Sequence, residues 1–100
     1  MAFDLCATEI GRKLLLKTPQ LTQKLNESAL NHVIEQGLRR SQSAAFWLCC
    51  SIKGIKLLST HPELVQKISE RSLNFVITIG QHKGTSALSH LCLTDEGKQI

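Results

Sequence analysis

Gly11, Gly54 and Gly97 stand 43 residues apart, and the segment between successive glycines is written twice. Residues 11–53 align with residues 54–96 without a gap and agree at 18 positions. Among these are Leu14/Leu57, Leu15/Leu58, Pro19/Pro62, Lys24/Lys67, Asn31/Asn74, Gly37/Gly80, Ser43/Ser86 and Cys49/Cys92. The register extends beyond both copies: Ala2, Phe3, Leu5 and Cys6 repeat Ala45, Phe46, Leu48 and Cys49, and Gly97 opens a further copy. The chain reads as one helical-repeat domain over residues 1–100, with a partial repeat at 1–10, repeats at 11–53 and 54–96, and the start of another at 97–100. Units of this length bury their apolar faces by stacking on their neighbours.

The local signals within each copy are helical. Tyr is absent and no segment alternates apolar with polar over a useful length; Val76-Ile77-Thr78-Ile79 is β-prone, but its counterpart Val33-Ile34-Glu35-Gln36 is not. Four short helices per repeat are expected. One spans Lys53–Ser59 and turns Leu57 and Leu58 inward; the next starts at Pro62, as its counterpart starts at Pro19, and runs to Ile68. A third covers Glu70–Ile79 and ends on a left-handed cap at Gly80, as Gly37 ends the earlier one. The fourth opens at Ser43 or Ser86 and runs through Cys49 or Cys92. The fold class is all-α, an α-solenoid of about two and a third repeats. Residue 100 falls in the apolar helix that reads Leu57-Leu58 in the earlier copy, so either the chain is part of a longer array, the reading we favour, or another chain covers the open end; self-association of the isolated piece is expected.

Composition removes several classes. Six Gly and 2 Pro are too few for a disordered or collagen-like chain. No apolar run approaches the roughly 20 residues a membrane helix needs, so no membrane partner is expected. The Met1–Cys6 stretch has an early acid and no basic segment, unlike a secretory signal.

The stretch Gly84-Thr85-Ser86-Ala87-Leu88-Ser89-His90-Leu91-Cys92, followed by Thr94-Asp95-Glu96-Gly97-Lys98-Gln99-Ile100, resembles the paired helices of an ankyrin repeat. Gly84, Ser86 and Leu88 fit that pattern, while Ala87 and Ser89 replace its Pro and His, and the period is ten residues longer than the usual 33. The chain is more similar to the longer ankyrin-like helical repeats in secreted effector proteins of intracellular bacteria such as Legionella. Those carry similar Thr-Ser-Ala-Leu and Thr-x-Glu-Gly-x-x-Ile-Leu phrases before a Pro-containing helix. The resemblance implies a helical-repeat fold and an effector working in the cytosol of a host cell; its motif residues are structural and imply no catalytic group.

Four Cys and 4 His raise the question of a metal. Cys6, Cys49 and Cys92 share one repeat position beside Leu5, Leu48 and Leu91, which a ladder of core thiols explains. There is no Cys-x-x-Cys, Cys49 and Cys50 are adjacent, and His32, His61, His82 and His90 fall at four different repeat positions, so neither a metal nor a cofactor is expected. Stacked units ~10 Å apart place equivalent Cys too far apart to bridge, which with the missing signal suggests a reducing, cytoplasmic compartment. No nucleophile elbow, Walker loop, dinucleotide fingerprint or zinc-protease motif occurs, and no residue is assigned a catalytic role. Glu27 and Glu70 follow Lys24 and Lys67 by three residues, which suggests surface pairing or capping.

The formal net charge is +4, and Arg39-Arg40 and His82-Lys83 occupy equivalent turns that stacking would align on one edge. Such an edge is a solvated face, a track for phosphate, or a seat for an acidic protein. The four aromatics are not interleaved with these basic residues in sequence, as a single-strand stacking platform requires. Shared positions maintain a stack, so divergent ones are free to specialise. Trp47 is the only Trp, and its equivalents are Asp4 and His90; Phe46 is matched by Phe3 and Ser89. Trp47 and Phe46 either anchor a partner or fill the gap between units. The expected function is a non-catalytic scaffold for a protein partner, with Trp47, Phe46, Arg39, Arg40, His82, Lys83 and His90 as contact residues. The alternatives are a basic nucleic-acid-binding repeat and a purely structural spacer or oligomerisation segment.

Overall fold

A computed structural model describes residues 2–99, so Met1 and Ile100 of the terminal partial repeats lie outside the described residues. The helices are α1 (Ala2–Ala7), α2 (Glu9–Lys17), a 3₁₀ segment (Pro19–Lys24), α3 (Glu27–Asn31), α4 (Ala44–Cys49), α5 (Ile52–Thr60), α6 (Pro62–Lys67), α7 (Glu70–Asn74), α8 (Ala87–Leu91) and α9 (Asp95–Lys98). Among the described residues there is no strand, and none of the helices is long and apolar enough to cross a membrane. The fold is all-α.

Short polar side chains punctuate the chain at the repeat interval. Thr8, Ser51 and Thr94 cap α2, α5 and α9, each accepting the N–H of the glycine three residues on. Ser43 and Ser86 cap α4 and α8; Asn26 and Ser69 cap α3 and α7. Pro19 and Pro62 both stand at a helix start, where the missing N–H is no loss, although the first of these helices winds as 3₁₀ and the second as α. Both repeats also close the same loop: Ile34 N–H donates to the Gln42 carbonyl and Ser41 N–H to the Ile34 carbonyl, as Ile77 and Gly84 do with Thr85 and Ile77.

That loop corrects the expected third helix. The helix ends at Asn74, and Phe75 leaves it with extended backbone, so Val76-Ile77-Thr78-Ile79 is not helical. The β-branched run loses side-chain freedom in a helix, and here its backbone groups pair across the loop instead. Gly80 does take the left-handed conformation, φ 87°, but inside this loop rather than as a helix cap.

Packing sets helices of the same repeat position side by side. α4 lies between α1 and α8, and α5 packs on both α2 and α9. One apolar core runs through these layers, with Cys6, Leu15, Leu30, Leu48, Leu57 and Leu64 fully buried. The expected core ladder of thiols holds for Cys6 and Cys49 but not for Cys92, which is exposed. Polar side chains stitch one repeat to the next. The Asn31 amide donates to the Lys67 carbonyl (2.8 Å), and its oxygen accepts the Ser69 N–H (2.9 Å). Lys67 does not pair with Glu70 as the spacing suggested; its ammonium donates to the Leu25 carbonyl, 3.2 Å away in the preceding repeat. Lys53 likewise crosses to Glu9 at 2.9 Å.

The repeated glycines are where paired helices cross most closely. A Cβ built on Gly54 would lie 2.6 Å from the Leu48 Cα, and one on Gly11 would lie 2.6 Å from the Leu5 Cα. These obstacles are backbone and cannot rotate away. Gly54→Ala is therefore expected to cost about 3 kcal/mol, the upper end of ordinary overpacking penalties. Gly80→Ala meets nothing within 4 Å and bears only the left-handed φ, a cost of about 1 kcal/mol. Equilibrium urea unfolding of both variants beside the parent measures the difference, and equal costs would refute the close-crossing argument.

A basic aromatic face as the candidate binding site

α4 is short and surrounded on three sides, which decides what each of its side chains can do. Ser43 fixes its start by accepting the Phe46 N–H at 3.1 Å. Ala44, Ala45, Leu48 and Cys49 are buried, and so is Phe46, only 2% exposed. Phe46 is therefore not a free anchor: it is the floor of the site, since α8 and the loop before it close over its flank. Trp47 stays half-buried at the surface. Its indole N–H donates to Gln42 Oε1 at 2.9 Å, and Gln42 is itself buried, which fixes the ring's orientation.

Around this floor the fold gathers groups from both repeats. Edge-to-face contacts at 5.3–5.7 Å between ring centroids join Phe46 to Trp47, His82 and His90, and His82 to Trp47 and His90. The Arg39 guanidinium carbon lies 5.7 Å from the Trp47 ring centre and 6.0 Å from that of Phe3. Arg12 approaches Trp47 at 6.0 Å, its Nη1 donating to the Cys6 carbonyl at 2.8 Å. At such distances each cation–π contact contributes about 0.5–1 kcal/mol where exposed. Among the described residues the ion pairs are Lys53–Glu9 and His61–Glu63, so neither Arg12 nor Arg39 is neutralised by a carboxylate. The buried Nε of Arg12 has no hydrogen-bond partner among the described residues.

Five of the seven residues singled out from the sequence thus converge: Trp47, Phe46, Arg39, His82 and His90. Arg40 and Lys83 are exposed on the same turns, but Arg40 lines a separate depression with Glu35, Phe75 and Thr78. Sequence reasoning missed Arg12, Gln42 and Phe3. Arg12 carried a usable signal, since Ile55 and Lys98 stand at its repeat position and the divergence rule that selected Trp47 applies equally there. The aromatics that looked separate from the basic residues along the chain are brought against Arg12 and Arg39 by stacking.

Thr85 donates its hydroxyl proton to the His82 carbonyl at 2.6 Å, so toward His90 Nε2, 3.1 Å away, it acts as acceptor. That arrangement orients His90 and leaves the hydroxyl unactivated. Burial pushes the thiols of Cys6 and Cys49 up to about 12, and that of Cys50 to about 11, far from nucleophilic thiolates. His82 and His90 adjoin, but no group of three or more His, Cys, Asp or Glu able to hold a metal occurs among the described residues.

His90 is held below its ordinary 6.5 by burial, with the charge of His82 as the second cause. The folded chain therefore favours neutral His90, and as the pH falls through 6.5 the unfolded chain takes up that proton first. Stability is expected to decline over that window, and His90→Asn to remove this part of the decline. Urea midpoints at pH 7.5 and 5.5 test this, an undiminished difference in the variant counting against it. Compared with models of protein families, with curated proteins and with solved structures, the chain matches none of them.

Proposed function

We propose that this chain is a segment of an ankyrin-like α-solenoid that recognises an acidic protein segment and catalyses nothing. Recurrence of caps and loop hydrogen bonds at the repeat interval, with α4 set between α1 and α8, supports the solenoid reading. The observation that carries the binding reading is Trp47 flanked by the guanidiniums of Arg12 and Arg39, neither of which meets a carboxylate among the described residues. Aromatic and Arg side chains dominate interface hot spots, and this group is pre-oriented by Gln42 and by a buried floor, so little ordering entropy is lost on binding. The phrases shared with secreted effectors favour a host-cell cytosol as the place of action, and the free thiols of Cys6, Cys49, Cys50 and Cys92 suit a reducing compartment.

One observation favours a second reading. Arg12 and Arg39 against Trp47 also suit a nucleobase stacked on the indole beside its phosphates. The two readings separate by nuclease treatment and by salt, because phosphate binding weakens steeply as salt rises.

The test is capture from a host-like cell lysate by the immobilised chain, repeated with nuclease and with Trp47→Ala and Arg39→Ala. The first reading requires a discrete protein that survives nuclease, with its affinity falling at least about tenfold, or about 1.4 kcal/mol, in each variant. Trp47 is the sole Trp, so its fluorescence reports the same titration directly. Equal capture by the variants would sink both readings.

A further inference from the structure

The repeats differ at the start of α5 in a way that the helix itself does not require. α2 opens with Glu9, and α9 with Asp95 and Glu96, acids in a first turn whose free N–H groups favour negative charge. α5 has no acid there: Ile52 stands at the position of Glu9 and Asp95. It is 83% exposed, so it serves neither the core nor the helix start. Because α5 packs on both α2 and α9, this exposure belongs to the middle of the stack and not to either end. Arg12, on the neighbouring α2, departs from the pattern as well, since its counterpart Ile55 is buried. Local rules are broken most often where a surface is kept for function.

Both departures open on the same cleft. A depression of about 240 Å³ lies between the starts of α2 and α5, lined by Glu9, Arg12, Ser51, Ile52 and Lys53. Lys53 and Glu9 neutralise each other at 2.9 Å, whereas Arg12 meets no carboxylate among the described residues. Ser51 ties the cleft to the basic face, because its hydroxyl donates to the Trp47 carbonyl at 2.8 Å and accepts the Gly54 N–H at 3.1 Å. Arg12 belongs to both, with its guanidinium carbon 6.0 Å from the Trp47 ring centre. Indole, guanidinium and exposed isoleucine thus form one continuous surface. We infer that this cleft is a second contact for the acidic partner and selects a segment that also carries a large apolar side chain: that side chain seats on Ile52 while a neighbouring carboxylate meets Arg12. The inference rests on the acidic-segment reading of the basic face and adds specificity to it. Charge alone recruits any acidic chain, but the apolar contact is lost to a chain that offers only polar groups. Ile52 therefore separates one acidic partner from another, while Trp47 serves them all.

The probes are two labelled peptides of equal charge, four repeats of Glu-Glu-Leu and four of Glu-Glu-Ser, titrated with the full chain and followed by fluorescence anisotropy. The leucine peptide is expected to bind at least about tenfold more tightly than the serine peptide. Ile52→Ser removes that preference by weakening the leucine peptide alone, whereas Trp47→Ala weakens both. Ile52 lies outside the core, so its replacement leaves the packing intact. Equal binding of the two peptides, or a leucine preference that survives Ile52→Ser, overturns the inference and leaves the acidic-segment reading standing. Saturation by neither peptide overturns both.

Discussion

The rest of the structure depends on one close crossing, made three times, between a short helix and the helix that follows it. At Gly11, Gly54 and Gly97 the backbone of Leu5, Leu48 or Leu91 comes so near that no side-chain atom fits between. The same glycine gives its N–H to the capping hydroxyl of Thr8, Ser51 or Thr94. Absence of a Cβ and presence of a cap therefore act together: one allows the approach, and the other fixes the angle at which the second helix departs. Once the angle of each pair is fixed, equivalent pairs can lie side by side. The core residues Leu15 and Leu58 become fully buried as a consequence.

Side-by-side packing explains why binding groups collect where they do. Shared residues are consumed by the crossing, the caps and the inter-repeat bonds of Asn31 and Lys67, so chemical individuality is left to positions where the copies differ. Arg12 sits where the second repeat has a buried Ile55, and Trp47 where the second repeat has His90. Because α4 is held between its neighbours, a loop from each of two repeats reaches the same indole, and Arg39 and His82, equivalent by sequence, become neighbours through Trp47. A single repeat could not assemble this face.

Much of the architecture was legible in the sequence because it rests on local chemistry repeated at a fixed interval. Proline at the start of a helix and serine at its cap act over three or four residues and stand where the pattern placed them, whereas Gly80 keeps the expected left-handed conformation but lies inside a loop. The third helix was misread because its apolar periodicity runs past Asn74. The competition between helix and loop pairing for the Ile77 backbone depends on Gly84 and Thr85, seven and eight residues on. The role of Phe46 was left open for a related reason: a helical wheel places it on a flank, and only the neighbouring α8 and its preceding loop make that flank an interior.

The sequence by itself determined the repeat length, the helical class, the helix starts at Pro19, Pro62, Ser43 and Ser86 and the residues free to differ, since each follows from short-range sterics and hydrogen bonding read off a periodic text. Tertiary structure alone decided that Lys67 serves the preceding repeat instead of Glu70, that Phe46 is floor and Trp47 surface, and that Arg12 joins Arg39 around one indole. Those outcomes depend on distances between residues tens of positions apart, and stacking, with its fixed angle at each glycine, sets those distances.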